Sequence, residues 1–261
     1  MINGKLTECI VDTGCSGILW SSWLHLTGQR TGVQASIGDA AGNTATVQEA
    51  MLDSVQIGGL ELRHIPSCAV TVGHSEGGNY PILGNSMFAH TVLTIDYVRQ
   101  ELIIRPSVEN STPTGVRDLR HIMNFQWISP DGLGGLGVPC VRGSVMSLPA
   151  NITIDTGWVD NSVGLTSGFY KQLRPHLEAD HIRSHKVITY FLLGMGNGVA
   201  IPYVSWSLGG IIGTNPAVVV DTLHGKDQAT VGLEFLKSYR TTIDYPQQKL
   251  WFELIRADKG K

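Results

Sequence analysis

The chain carries one short pattern twice. Asp-Thr-Gly stands at Asp12-Thr13-Gly14 and again at Asp155-Thr156-Gly157, each time after an apolar, β-branched stretch: Cys9-Ile10-Val11 and Ile152-Thr153-Ile154. A single Asp-Thr-Gly is expected by chance in roughly one chain in twenty of this length, so two in matching contexts call for another explanation. The residues downstream supply it. Gly84 closes Ile82-Leu83-Gly84 at 72 residues beyond Asp12, and Gly232 closes Thr230-Val231-Gly232 at 77 residues beyond Asp155. Twelve residues past each glycine comes the aspartate of an identical Thr-Ile-Asp-Tyr, at Thr94 to Tyr97 and Thr242 to Tyr245. Ile57-Gly58-Gly59 answers Leu208-Gly209-Gly210, and Pro66 answers Pro216. The period is too long for a solenoid, so the chain reads as two copies of one lobe of roughly 100 residues. The boundaries expected are a first lobe over 1–107, a linker over 108–122 and a second lobe over 123–261. The linker rests on the polar, Pro-, Ser-, Thr- and Gly-containing stretch from Pro106 to Arg117.

Composition points to β-structure. The 261 residues are 42% hydrophobic, enough for two cores, and include 31 glycines and 11 prolines among clusters of Val, Ile and Thr. A net charge of −3 and a pI near 6.3 argue against a nucleic-acid partner. No stretch approaches the roughly 18 apolar residues of a membrane span. The four cysteines, Cys9, Cys15, Cys68 and Cys140, lack metal-type spacing and read as small buried side chains, with any pairing left open. No metal and no cofactor is expected.

The elements expected along the chain are mostly strands. Asn3-Gly4 is a hairpin-turn dipeptide, and Lys5 to Val11 reads as the strand into Asp12. Lobe two has Val138 to Val145 as a partner strand ahead of Asp155, whereas only two residues precede the Asn3-Gly4 turn. Lobe one is therefore expected to lack most of its opening strand, through a trimmed N-terminus and a missing leader. Met1 to Gly4 is itself no signal peptide. The compartment stays open, with an extracytoplasmic one favoured. Trp20 to Leu26 reads as a short helical turn, as do Asn85 to His90 and Leu233 to Tyr239. Val33 to Val55 reads as a long hairpin tipped by Ala40-Ala41-Gly42-Asn43, and Val187 to Val204 as its counterpart tipped by Gly194-Met195-Gly196-Asn197.

The apolar strand, Asp-Thr-Gly, glycine-tipped hairpin, apolar-apolar-Gly and Ile-Asp-Tyr together resemble the retropepsin-like aspartic proteases. The resemblance covers nearly the whole chain and implies an all-β fold of two pseudo-twofold-related β-barrel lobes, with a few short helices and a cleft between the lobes. Single-lobe members of that family work as homodimers. This chain is similar to a fused pair, so it is expected to function as a monomer on a polypeptide substrate. The candidate catalytic pair is Asp12 and Asp155. Two carboxylates held close together cannot both ionise cheaply, so they share a proton, and the ionised member can activate a water for attack on a peptide carbonyl. Thr13, Gly14, Thr156 and Gly157 are candidate loop supports. The glycines permit close backbone approach, and the threonine hydroxyls tie the loops together as in the family. Ala41, Gly42, Asn43, Met195, Gly196 and Asn197 are candidate flap residues that close on an extended substrate.

Two departures bear on activity. Cys15 and Trp158 follow the glycines where the family usually has Ala or Ser, and both are candidate cleft-wall residues. The bland reading turns Trp158 into the lobe core; the sharper ones make it a specificity wall or an obstruction. Its loop is about two residues longer than its counterpart, with Gly164 or Leu165 answering Leu19. Thr230 replaces an aliphatic residue. The leading expectation is an aspartic endopeptidase, and the alternative is a catalytically silent two-lobed module that binds peptides or partners in the cleft. Gly132 to Gly137 formally matches a dinucleotide fingerprint but joins no strand to a helix. His176, His181 and His185 read as a solvated helical face. Asp96 and Asp244, though repeated, are expected at structural turns, as in the family.

Overall fold

Both lobes are built on the same run of strands. The computed structural model describes residues 1–21, 24, 26, 28–39, 44–70, 80–108, 121–128, 136–178, 182–188, 195–220 and 229–255. Lobe one contains β1 (Ile10–Val11), β2 (Ile18–Ser21), β3 (Gly28–Gly38), β4 (Thr44–Ile57), β5 (Leu60–Val70) and β6 (Ile82–Leu83), in the sheet order β1-β6-β2-β5-β4-β3. Two further strands, β7 (Thr91–Asp96) and β8 (Glu101–Pro106), leave that sheet. Lobe two begins with β9 (His121–Asn124), β10 (Gln126–Ile128) and β11 (Val138–Val145). It continues with β12 (Leu148–Ile154), β13 (Val163–Thr166), helix α1 (Ser167–Leu173), β14 (Arg183–Ile188), β15 (Met195–Leu208), β16 (Ile211–Val220) and β17 (Ala229–Val231). Helix α2 (Leu233–Leu236), β18 (Tyr239–Asp244) and β19 (Lys249–Leu254) complete it.

The eight-stranded sheet of lobe two runs β10-β11-β12-β17-β13-β16-β15-β14, and β11 also pairs with β15. Omitting β10 and β11 leaves the order of lobe one. The duplication read from sequence is thus a duplication of topology, and the fold is all-β with short helices.

A third sheet joins the lobes in the order β8-β7-β18-β19-β9. At its centre β7 and β18 run antiparallel with Thr94 opposite Thr242, and their buried hydroxyls lie 2.9 Å apart. The repeated Thr-Ile-Asp-Tyr therefore meets its own copy on the pseudo-twofold. Asp96 and Asp244 end these strands. Asp96 accepts from the Arg99 backbone N–H at 2.9 Å, and Asp244 accepts from Gln247 N–H at 3.1 Å and the Ser107 hydroxyl at 3.0 Å. Both are turn-forming carboxylates rather than site residues.

Several elements differ from the sequence expectation. Asn3 (φ 48°) and Gly4 (φ 76°) form the expected left-handed turn between Ile2 and Lys5, but only Ile10–Val11 of the following stretch is strand. The counterpart β12 is a full strand because β11 lies beside it. Residues 6–9 have no such neighbour among the described residues. Trp20 and Ser21 belong to β2 rather than a helical turn, held by parallel pairing to β5. The two later helices do form, as a 3-10 turn over Asn85–Phe88 and as α2. His185 sits on β14 opposite Gly198, so the histidines share no helical face; His181 lies outside the described residues. Gly132 to Gly135 also lie outside them. β9 starts at His121, within the stretch expected as a linker.

Candidate active site

Each Asp-Thr-Gly begins where a central strand stops. β1 runs parallel to β6, and the Asp12 N–H donates to Leu83 C=O at 3.1 Å. β12 runs parallel to β17, and the Asp155 N–H donates to Val231 C=O at 3.0 Å. The chain then turns back across the next glycine. A Cβ on Gly84 would stand 2.2 Å from Gly17 O and 2.5 Å from Cys15 O; one on Gly232 would stand 2.1 Å from Trp158 O. No side chain fits under these loops, so each apolar-apolar-Gly element ends in glycine for steric reasons.

The two loops face each other and grip. Thr13 Oγ1 donates to Ile154 O at 2.7 Å and accepts from Thr156 N–H at 3.0 Å. In the mirror arrangement, Thr156 Oγ1 donates to Val11 O at 2.7 Å and accepts from Thr13 N–H at 3.0 Å. Each hydroxyl uses both of its hydrogen-bonding functions across the lobe boundary. A Cβ on Gly14 would lie 2.3 Å from Asp155 Cγ, and one on Gly157 would lie 2.6 Å from Asp12 Cγ. Each half-buried carboxyl group is therefore pressed against the glycine of the opposite lobe. Backbone donors fix the carboxylates: Gly14 N–H to Asp12 Oδ1 at 2.8 Å, Gly157 N–H to Asp155 Oδ1 at 2.7 Å, and Trp158 N–H to Asp155 Oδ1 at 3.1 Å.

Trp158 occupies lobe two's interior. Its side chain is buried with Val187, Val218 and Val220, and its indole N–H donates to Ser162 O at 2.8 Å. The register Leu19↔Ile82 against Gly164↔Thr230 confirms that this loop is two residues longer than its counterpart. Gly164 packs against the indole edge, where a Cβ would come within 3.1 Å. Cys15 stays half-buried, with its thiol on Gly17 O at 3.3 Å. None of the four cysteines is disulfide-bonded. Thr230 is accommodated by a hydroxyl contact of 2.7 Å with Thr153, which in turn donates to Ala229 O.

The two hairpins expected to act as flaps correspond to the strand pairs β3–β4 and β14–β15. Ala41, Gly42 and Asn43 lie outside the described residues. Met195, Gly196 and Asn197 are not a tip: they pair with Ile188, Val187 and Lys186 inside the ladder. The glycine-rich run misled the placement because Gly196 and Gly198 serve the ladder itself, Gly198 where a Cβ would meet Val219 O at 2.7 Å.

Sequence reasoning missed Asn85 and Tyr245. Asn85 is fully buried behind the first loop and donates its side-chain amide to Thr13 O, Cys15 O and Gly137 O at 2.9, 3.0 and 2.9 Å. It accepts the Tyr245 hydroxyl at 2.8 Å. Lobe two has Leu233 at the matching place, and this break in the duplication was the available signal. Tyr97, the twin of Tyr245, is only half-buried. Its phenol is pushed up to about 12, first by burial and then by the negative charges of Asp155 and Asp12. Burial pushes Tyr245 higher still.

Residues 1–90 match the family model described as gag-polyprotein putative aspartyl protease. No curated protein matches the chain. Among solved structures, that of an aspartic proteinase from Irpex lacteus superposes with a TM-score of 0.52 at 11% identity, covering 94% of this chain and 89% of that one. At such identity the likeness is one of fold. The first lobe thus matches an aspartyl-protease model, and nearly the whole chain has the fold of an aspartic proteinase.

Proposed function

We propose that the chain is an aspartic endopeptidase that hydrolyses an extended polypeptide with Asp12 and Asp155 as its catalytic pair. Family and fold support a protease in general. The observation that carries the finer reading is reciprocal: each carboxyl group abuts the glycine of the other lobe's loop while that loop's threonine holds the opposite strand. Like charges confined this closely share one proton. The ionised carboxylate takes a proton from water, which attacks the peptide carbonyl. The protonated partner donates to the developing oxyanion and the leaving nitrogen then receives a proton. Rigid loops keep the pair aligned without reorganisation during reaction. The hairpins β3–β4 and β14–β15 rise from the two lobes as the flaps. Burial of Trp158 within its lobe supports this reading over a silent binding module, because the indole was the feature that favoured the module.

The test is cleavage of an unfolded protein between pH 3 and 7, with and without pepstatin. The parent should cleave and be inhibited, whereas Asp12→Asn and Asp155→Asn should each lose nearly all activity while staying folded. Equal activity in parent and both variants removes the dyad assignment. Absence of cleavage at every pH favours the binding module instead.

A further inference from the structure

The two Asp-Thr-Gly loops are alike in backbone and unlike in what stands behind them. In each lobe the residue after the buried glycine donates its backbone N–H to the residue that follows Asp-Thr-Gly: Asn85 to Cys15 O at 2.9 Å and Leu233 to Trp158 O at 2.8 Å. The side chains then part. Leu233 is aliphatic, whereas the Asn85 amide nitrogen donates to Thr13 O at 2.9 Å, Cys15 O at 3.0 Å and Gly137 O at 2.9 Å. Its two hydrogens serve three carbonyls, so one is shared. The reverse orientation would set the amide oxygen against all three, which fixes the direction of the group. That oxygen instead accepts the Tyr245 hydroxyl at 2.8 Å. Tyr245 and Gly137 come from the second half of the chain, so one amide ties both halves to the first loop.

This run of bonds reaches a carboxyl group. Thr13 C=O and Gly14 N–H are the two ends of one peptide unit, and that N–H donates to Asp12 Oδ1 at 2.8 Å. A donor on the carbonyl end polarises the unit and strengthens its N–H. We infer that Asn85 is a positioning residue for Asp12: acting through the Thr13–Gly14 peptide, it aims that N–H at the carboxylate and favours its ionised form. Asp155 draws instead on the N–H groups of Gly157 and Trp158, in a loop backed by Leu233. The two carboxyl groups therefore differ although their loops are copies. The titratable groups around Asp12 are Asp155 across the loop pair, Cys15 on its own loop and Tyr245 through Asn85. Tyr97 joins them, its phenol raised in part by both carboxylates. The inference rests on the reading of Asp12 and Asp155 as one pair, and adds that the pair is unequal, with Asp12 the member joined to the interlobe sheet.

The experiment is a carbon-13 NMR titration of the aspartate carboxyl groups in the full chain, one member of the pair at a time. Asp155→Asn leaves Asp12 to titrate alone, and Asp12→Asn leaves Asp155. Adding Asn85→Leu, which has the shape of the native side chain and copies lobe two, should raise the pH at which Asp12 titrates by about half a unit. It should leave Asp155 in place. Tyr245→Phe should act in the same direction by less, and it decides the matter alone if Asn85→Leu does not fold. Ser67→Ala breaks buried hydrogen bonds to Trp20 and Ala50 elsewhere in lobe one. It should move neither carboxyl group, which separates the effect from a general loss of stability. The inference is overturned if Asp12 titrates alike in all these proteins, if Asp155 moves as far as Asp12, or if Ser67→Ala has the same effect. The titration needs no turnover, so a parent that fails to cleave counts against the catalytic reading and not against this one.

Discussion

Tyr245 donates its buried hydroxyl to Asn85 at 2.8 Å, and Asn85 passes its own amide to the carbonyl oxygens of Thr13 and Cys15. A side chain from the interlobe sheet thereby supports the backbone of the first Asp-Thr-Gly loop from behind. Tyr245→Phe should cost about 1 kcal/mol, the loss of one buried hydrogen bond. Asn85→Leu, which copies lobe two, should cost more, about 2–4 kcal/mol, because it strands several buried polar groups at once. Urea unfolding of both variants and of the double variant checks this, and the two effects should not add, since the residues touch.

The threonine grip makes a sharper demand. Thr13→Val removes a donor and an acceptor together, taking their partner from Ile154 O and Thr156 N–H at the lobe boundary. A loss of about 2–4 kcal/mol is expected. Thr13→Ser retains the hydroxyl and should recover most of it, a difference readable in thermal unfolding.

Glycine at the loop tips is a requirement of the carboxylates rather than of backbone freedom. Gly14→Ala would drive a methyl into the Asp155 carboxyl, and Gly157→Ala into that of Asp12. Each should lower kcat/KM by about 100-fold through displacement of the reacting group by around 1 Å. Circular dichroism should show the fold retained.

Tyr97 reports on the pair from a distance. Its phenol titrates near 12 when folded, above the ordinary value of 10, so the folded state holds the proton more tightly. The stability this provides is complete below about pH 10 and is lost as pH rises toward 12. Asp155→Asn should bring the Tyr97 phenol down, and by more than Asp12→Asn does, as seen in ultraviolet difference absorbance. Equal titration in all three proteins would place Tyr97 outside the field of the carboxylates.

What the sequence made legible was whatever the duplication repeated. Asp-Thr-Gly, the glycines after Ile82-Leu83 and Thr230-Val231, and Thr-Ile-Asp-Tyr each recur because both lobes meet the same steric demand at the same point, as Gly84 and Gly232 do beneath their loops. The asymmetric features were harder to read. Asn85 acts through a tyrosine 160 residues away, and no local pattern reveals such a partner. Residues 6–9 have strand composition but no partner strand among the described residues, and pairing, not propensity, decides β-structure. Met195 to Asn197 read as a turn from their glycine content, yet glycine there admits the neighbouring strand.

The Thr94–Thr242 pairing has a mechanical consequence. Because β7 and β18 are adjacent in one sheet, with β8 and β19 outside them, the halves are stitched through their backbones as well as through the chain that connects them. A protease nick between residues 109 and 120 would thus yield two fragments on a denaturing gel and a single particle on a sizing column. Neither half could melt without tearing the ladder of the other.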